Sequence, residues 1–322
     1  MKRFSILFIF TISLSFGFAA EHANALTVYP AGPGSLGKKL AQGFEKKTGI
    51  KVDLFQATTG KVMARLEAEA DNPHADVLIS ASWDTARDLE KRGWLLNYES
   101  PNAAHVPAML KAPSYVAQGV SALCIVWNMR SGLPEPRDWS DLAQPAYRNQ
   151  VTMPDPALSG ATLDLLLGLQ ARLGKQADSL FENLHRNGMV VLGPNAQALN
   201  PVLQGARSAV FGAVDYVAYG AVVSGESIKV IFPSGGTVVA PRPMMILKTS
   251  RAQNEARAFV DYVLSPQGQK VVADAWLIPA RDDIGSERPL LKDLKLLPQE
   301  GAPTPVQHAE TLQRFSRLFG QR

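Results

Sequence analysis

The sequence contains a single cysteine, Cys124, which lies inside an apolar run of residues 121–127. One cysteine excludes an intrachain disulfide framework, and its position far from the N-terminus excludes a lipid-bearing cysteine at the start of a processed chain. The apolar run predicts a buried strand, so the thiol is interpreted as a small core hydrophobe and not as a reactive group.

Long hydrophobic runs are absent after residue 25, because glycine, proline or charged residues interrupt every later one. The first 25 residues combine Lys2 and Arg3, the uncharged segment Phe4–Ala20 and the small residues at 23–25, which is the pattern of a cleavable secretory signal peptide. A membrane anchor is the alternative, but no stop-transfer charges follow. We therefore expect cleavage after Ala25, export to the periplasm and a mature chain that begins at Leu26.

The sequence also lacks an excess of charge and lacks catalytic signatures. Lysine and arginine number 33 against 29 acidic residues, and the basic residues are dispersed, so no nucleic-acid partner is expected. Neither a G-x-S-x-G nor an H-E-x-x-H motif is present, and the five histidines are scattered. We expect neither catalysis nor a bound metal or other cofactor.

Strand and helix patterns alternate from Leu26 onward. Three strand-helix units in series over residues 26–93 predict a mostly parallel sheet with helices on both faces, and a second α/β block covers residues 150–232. The apolar run 121–127 and the extended segment 238–247 predict two crossings between two α/β lobes, with a ligand cleft between them. The predicted division is a first lobe of 26–121 plus 245–322, a second lobe of 128–238, and hinge crossovers at 122–127 and 239–244.

A glycine-rich turn, residues 32–37, follows the first strand and matches the dinucleotide-binding pattern G-x-G-x-x-G, with Asp53 about 20 residues further on. Asp53 lies in mid-strand, not at a strand end, and the chain is expected to be exported, so an NAD(P)-dependent oxidoreductase is only a distant alternative. Even without a dinucleotide, the turn predicts a helix start: Ser35 is expected to be the N-cap of a helix whose first N–H groups are free.

Small hydroxyl and amide residues recur where predicted strands end and helices begin, in both lobes. Unpaired N–H groups at such helix starts favour carboxylate, phosphate or phosphonate oxygens, although plain N-capping is the alternative at each position. Asp215 is expected either to accept hydrogen bonds from ligand hydroxyls or an amine, or to cap a helix. The candidate ligand-binding residues are Ser35, Thr58, Thr59, Gly60, Ser82, Ser159, Gly160, Ala161, Thr162, Asn195, Asp215 and Tyr216.

Four segments carry a family resemblance: LTVYPAGPGS, ADVLISASWDTARDLEKRGWL, MPDPALSGAT and FVDYVLSPQGQKVVADAW. They resemble the periplasmic solute-binding proteins of bacterial ABC importers, in particular the ferric-iron-binding-like branch, which also contains binders of sugar phosphates, phosphoglycerate and 2-aminoethylphosphonate. The resemblance covers Leu26 to Ala280. It implies a two-lobed type II periplasmic binding protein fold, in a monomer that closes on a small solute and delivers it to a permease in the inner membrane.

The resemblance leaves the solute open between an organic anion and ferric iron. In iron-binding members of the family, adjacent tyrosines in the second lobe ligate the metal, whereas the matching stretch here has the single Tyr216 between Asp215 and Val217. Fe(III) needs several hard anionic oxygens. An organophosphate or phosphonate is therefore favoured, with its oxygens on residues such as Thr59 and Ser159 and its polar remainder on Asp215, and ferric iron is the alternative.

Overall fold

The computed structural model describes residues 25–297 and 304–320. The predicted signal peptide therefore lies outside the described residues, apart from Ala25. Within the described ranges, no helix combines the length and apolar character needed to cross a membrane.

The described residues form eleven strands and ten α-helices. The strands are β1 (Leu26–Pro30), β2 (Val52–Leu54), β3 (Val77–Ile79), β4 (Lys111–Ala112), β5 (Tyr115–Asn128), β6 (Val151–Pro154), β7 (Val190–Leu192), β8 (Ala209–Val214), β9 (Ile228–Ile231), β10 (Val239–Ile246) and β11 (Ile278–Pro279). The helices are α1 (Gly34–Thr48), α2 (Thr59–Ala68), α3 (Trp83–Lys91), α4 (Gly160–Leu173), α5 (Lys175–Arg186), α6 (Asn195–Leu203), α7 (Asp215–Val223), α8 (Gln253–Val263), α9 (Pro266–Asp274) and α10 (Pro305–Phe319).

The first lobe is built on the strand order β2-β1-β3-β10-β5. β1 pairs in parallel with β2 and β3, as the serial strand-helix pattern predicts, whereas β10 runs antiparallel to β3 and β5. Alternate side chains enter the two cores that cover the sheet: Val28 and Ile79 lie in one, and Tyr29 and Leu78 lie in the other. Helices therefore cover both faces of this sheet.

The second lobe repeats this plan with the strand order β7-β6-β8-β5, and β9 pairs with β5 as well. β6 is parallel to β7 and β8. Leu123 and Ile125 enter the core on one face, and Cys124 and Val126 enter the core on the other. Cys124 has no exposed surface, so it is a core residue. The predicted two-lobed α/β architecture is confirmed.

A single strand, β5, belongs to both lobes. Up to Ala122 it pairs with β10, and from Leu123 onward it pairs with β8, so the chain changes lobes between these two residues. The sequence pattern had put the crossovers at 122–127 and 239–244, but residues 123–127 pair within the second lobe and β10 pairs within the first. β5 also starts six residues before the predicted strand, because Gln118 and Gly119, which interrupt the apolar pattern, are themselves buried in the sheet.

The chain returns to the second lobe near its C-terminus. Leu296 forms a parallel bridge with Thr237, and the Leu297 N–H donates to the Thr237 carbonyl at 2.7 Å. Further on, α10 packs against α4 and α5, and its Phe315 joins the core that contains Leu166. The sequence pattern had assigned all of 245–322 to the first lobe, whereas this last helix lies on the second, where its apolar face covers the α4–α5 pair.

Candidate ligand-binding cleft

The N-terminus of α4 is the most completely built part of the cleft on the second lobe. Ser159 is its N-cap, 5% exposed, and its Oγ accepts the Thr162 N–H at 3.3 Å and the Asn195 amide at 3.1 Å. The Thr162 hydroxyl donates to the same Oγ at 2.9 Å. The next two residues, Gly160 and Ala161, contribute backbone N–H groups that have no acceptor within the helix. Five predicted site residues therefore meet at one helix start.

Two helix starts of the first lobe, those of α2 and α3, lie beside each other. Thr58 and Ser82 are the N-caps of α2 and α3, and neither side chain makes a capping hydrogen bond. Thr59 has a structural role, since its Oγ1 accepts the Ala81 N–H at 3.1 Å and so joins α2 to the turn before α3. Gly60 is exposed next to Thr59.

The two lobes touch at this point. A side-chain carbon added to Gly160 would lie 3.8 Å from the Cβ of Ser82. The N-termini of α3 and α4 thus lie next to each other where the two lobes meet, with Asp84 in the first turn of α3.

Ser35 does not cap α1, in contrast to the expectation from the sequence. The N-cap is Pro33, and Ser35 is the second residue of the helix with an exposed side chain. The reason lies in the glycine turn: Gly34 is already helical, so the helix begins two residues earlier than it would with Ser35 as its N-cap.

Asp215 is wholly buried and fully engaged, which corrects its predicted role as a ligand contact. Its Oδ2 accepts the Ala122 N–H at 2.7 Å and an Arg288 N–H at 2.6 Å, and its Oδ1 accepts the Tyr216 N–H at 2.7 Å. Burial raises the pKa of the Asp215 carboxyl, and Arg288 and the two backbone donors oppose this rise. Asp215 is therefore a hinge residue that joins β5, α7 and the C-terminal segment.

The two tyrosines of α7 have different surroundings. Tyr216 is partly exposed and packs against cores of both lobes, so it lies where the lobes meet. Tyr219 stacks on Trp276 with ring centroids 5.4 Å apart, and the Arg288 guanidinium lies 5.0 Å from its ring centre. Burial raises the pKa of Tyr219 to about 12. Tyr219 is therefore a packing residue whose phenolate form is disfavoured.

Sequence reasoning missed Arg242, a buried arginine in the middle of β10. Its side chain is 3% exposed, one Nη donates to the Ala31 carbonyl, and its Nε has no partner among the described residues. Burial lowers the pKa of Arg242, and the nearby Tyr216 opposes this. An available signal was its place in the sequence, since it is a lone charge between Pro241 and Pro243 in an otherwise apolar strand.

Comparison with known proteins agrees with this architecture. The family model for bacterial extracellular solute-binding proteins matches residues 72–298. The chain is 27% identical to the phosphoglycerate transport regulatory protein PgtC of Salmonella typhimurium, over 70% of this chain and 58% of that protein. It is 22% identical to a putative 2-aminoethylphosphonate-binding periplasmic protein of the same organism, over 88% of this chain and 86% of that protein.

Two solved structures show the same fold. The periplasmic binding protein AfuA of Actinobacillus pleuropneumoniae, with fructose-6-phosphate bound, superimposes with a TM-score of 0.77 at 20% identity, covering 92% of this chain and 99% of AfuA. Iron-bound HitA of Pseudomonas aeruginosa gives a TM-score of 0.76 at 21% identity, covering 91% of this chain and 99% of HitA. The type II periplasmic binding protein fold and the family resemblance inferred from the sequence are confirmed, and the chain belongs to the family of bacterial extracellular solute-binding proteins.

Proposed function

We propose that this chain is the periplasmic binding component of an ABC importer and that its cleft carries a small anionic organic solute, an organophosphate or a phosphonate. In this proposal the chain is exported with cleavage after Ala25, acts as a monomer and delivers its solute to a permease in the inner membrane. The names of the PgtC and 2-aminoethylphosphonate-binding relatives support this class of solute.

The observation that carries the proposal is the start of α4. Ser159, Thr162 and Asn195 form a hydrogen-bonded network around the cap, and the free N–H groups of Gly160 and Ala161 follow it. Such a helix start binds anions because the unpaired N–H donors and the helix dipole act in the same direction. Ser82 of the first lobe lies against Gly160, so an anion bound here would favour lobe closure.

Ferric iron is the second candidate, and the similarity to iron-bound HitA favours it. Its difficulty is the ligand set. Tyr216 is a single tyrosine at the lobe junction, and Tyr219 is engaged by Trp276 and Arg288. Asp215 is occupied by Arg288 and two backbone donors. Fe(III) requires several hard anionic oxygens, and this part of the cleft offers few.

The proposal involves no catalytic step. Asp215, the carboxylate at the hinge, is committed to an ion pair and is not available as a general base. Asp53 lies on β2 opposite Thr27, in the middle of the strand pairing, so the glycine turn lacks the acidic partner at a strand end that a dinucleotide site uses.

A charge placed on the α4 cap tests the proposal. Aspartate caps helices as well as serine does, so Ser159→Asp is expected to keep the fold while its carboxylate repels an anion at the helix start. Wild type should be stabilised by phosphoglycerate or 2-aminoethylphosphonate: a solute at about 100 times its Kd gives roughly 2.7 kcal/mol, or a Tm increase of about 5 to 10 °C. Ser159→Asp should show no such increase.

The matched control is Ser265→Asp. Ser265 caps α9 in the first lobe, is 7% exposed, and its Oγ accepts the Gly268 N–H at 3.2 Å, much as Ser159 caps α4. This variant should retain the solute-dependent increase in Tm. An equal increase in Ser159→Asp and wild type would contradict the proposed site, and a response to Fe(III) or NAD(H) alone would favour one of the alternatives.

A further inference from the structure

Among the described residues, two buried arginines lie near the hinge, and only one of them has a counter-charge. Arg288 is 3% exposed and pairs with Asp215 at 2.6 Å. Arg242 is equally buried, yet among the described residues no carboxylate lies within ion-pair distance of its guanidinium. Its partners are the Ala31 carbonyl and, electrostatically, Tyr216.

A buried guanidinium without a counter-charge is unfavourable for folding. Arginine stays protonated at neutral pH even when burial lowers its pKa, so it cannot escape this cost by losing its proton. Each ion removed from water pays a desolvation penalty, and an unpaired buried charge recovers none of it through an ion pair. A methionine of similar length would pack in this strand without that cost. Arg242 therefore lowers the stability of the solute-free protein, and such a loss of stability is typical of functional sites.

The chain is shaped around this side chain. A Cβ on Gly32 would overlap the Nη2 of Arg242, so only glycine at the start of the glycine turn lets the backbone approach the guanidinium. The strand pairing of β10 with β5 is irregular between Pro241 and Pro243, on either side of Arg242. An irregularity of this kind changes the direction of a side chain, which then departs from the regular alternation of side chains between the two faces of the sheet.

Arg242 also lies next to the lobe contact described above. The carbonyl of the following residue, Pro243, accepts the Ser80 N–H at 2.9 Å, and the Ser80 Oγ accepts the Ser82 N–H at 3.0 Å. Ser82 in turn lies against Gly160 at the start of α4. The Arg242 guanidinium itself lies against Gly32, in the turn after β1, and near Tyr216, which packs against cores of both lobes. The uncompensated cation is therefore placed where the two lobes meet.

We infer that Arg242 is a specificity-determining residue, whose guanidinium supplies the fixed positive charge that recognises an oxyanion group of the solute. This inference rests on the proposed function and deepens it, because it selects solutes that carry a phosphate, phosphonate or carboxylate group and rejects cationic solutes such as polyamines. A guanidinium binds these planar or tetrahedral oxyanions through several N–H donors at once.

The test compares Arg242→Met with Arg288→Met, using isothermal titration with 2-aminoethylphosphonate and phosphoglycerate and a Tm for each solute-free protein. Arg242→Met should weaken binding of these anions by about 100-fold or more while its solute-free Tm equals or exceeds that of wild type. Arg288→Met should lower the solute-free Tm, because it leaves Asp215 buried and unpaired. Arg242→Lys, which keeps the charge but loses the planar fork, should bind about 10-fold more weakly than wild type.

The outcomes separate the inference from the proposed function. Anion binding by Arg242→Met within threefold of wild type would overturn the role of Arg242 and leave the proposed function standing. A solute-free Tm that falls as far in Arg242→Met as in Arg288→Met would assign Arg242 a structural role and also overturn the inference. Absence of anion binding by wild type would overturn both.

Discussion

Replacing Asp215 with asparagine removes one negative charge from the buried hinge and changes little else in shape. The Asp215 and Arg288 side chains are completely buried and lie 2.6 Å apart. Asparagine has one acceptor oxygen, so it can accept either the Ala122 N–H or the Tyr216 N–H, which donate to different oxygens of Asp215 at 2.7 Å, and its NH2 group faces the other donor. The change therefore removes the charge that faces Arg288 together with one backbone hydrogen bond.

The expected cost follows from this burial. Removing one partner of a buried ion pair leaves an uncompensated charge and typically costs about 3 to 5 kcal/mol. For a chain of this size such a loss corresponds to a Tm about 10 °C lower. Thermal and urea unfolding, followed by circular dichroism at neutral pH, measure this difference directly.

A double variant supplies the control. Asp215→Asn combined with Arg288→Met removes both charges, so its stability should return to within about 1 to 2 kcal/mol of wild type, because an apolar pair can replace a buried ion pair. A single Asp215→Asn variant as stable as wild type would refute the assignment of Asp215 to the hinge. A double variant as unstable as the single one would show that charge pairing is not the cause.

Two further predictions concern residues beside the cleft. Burial and the nearby Asp84 raise the pKa of Asp164 to about 7, well above its value in the unfolded chain. Asp164→Asn should therefore be more stable than wild type above pH 7, and this advantage should vanish as the pH falls to about 4. A difference in urea-unfolding free energy that is constant with pH would contradict this prediction. Gly32→Ala should weaken anion binding in titration calorimetry, because the added Cβ would displace the Arg242 guanidinium. The control Gly285→Ala, which has open space around its Cβ, should bind as wild type does. Equal affinities of the two variants would contradict the close approach of Gly32 to Arg242.

Local patterns in the sequence were sufficient for most of the fold. The serial strand-helix pattern of residues 26–93 predicted the parallel pairing of β1 with β2 and β3. The strand and helix patterns themselves depend on neighbours within one or two turns. The start of β5 and the pairing of β10 depend instead on contacts between residues that are far apart in the sequence, since Ala122 of β5 pairs with Val239 of β10.

The candidate site was predictable where its contacts are local. Ser159, Gly160, Ala161 and Thr162 form one helix start, and the sequence identified them as a group; of their partners, only Asn195 is distant. Asp215 was a candidate ligand contact, with helix capping as the alternative, because its partner Arg288 lies 73 residues further along the chain. Arg242 was missed although it is a lone charge between Pro241 and Pro243, because the lack of a counter-charge is a property of the folded surroundings that this local pattern does not show.

The most direct test of the central claim is isothermal titration of the mature protein, residues 26–322, with two anionic organic solutes, with spermidine and with Fe(III). We predict saturable one-site binding of 2-aminoethylphosphonate or phosphoglycerate, and no heat of binding with spermidine or Fe(III). Saturable binding of spermidine or iron, with no binding of either anion, would contradict the account of an anion carrier.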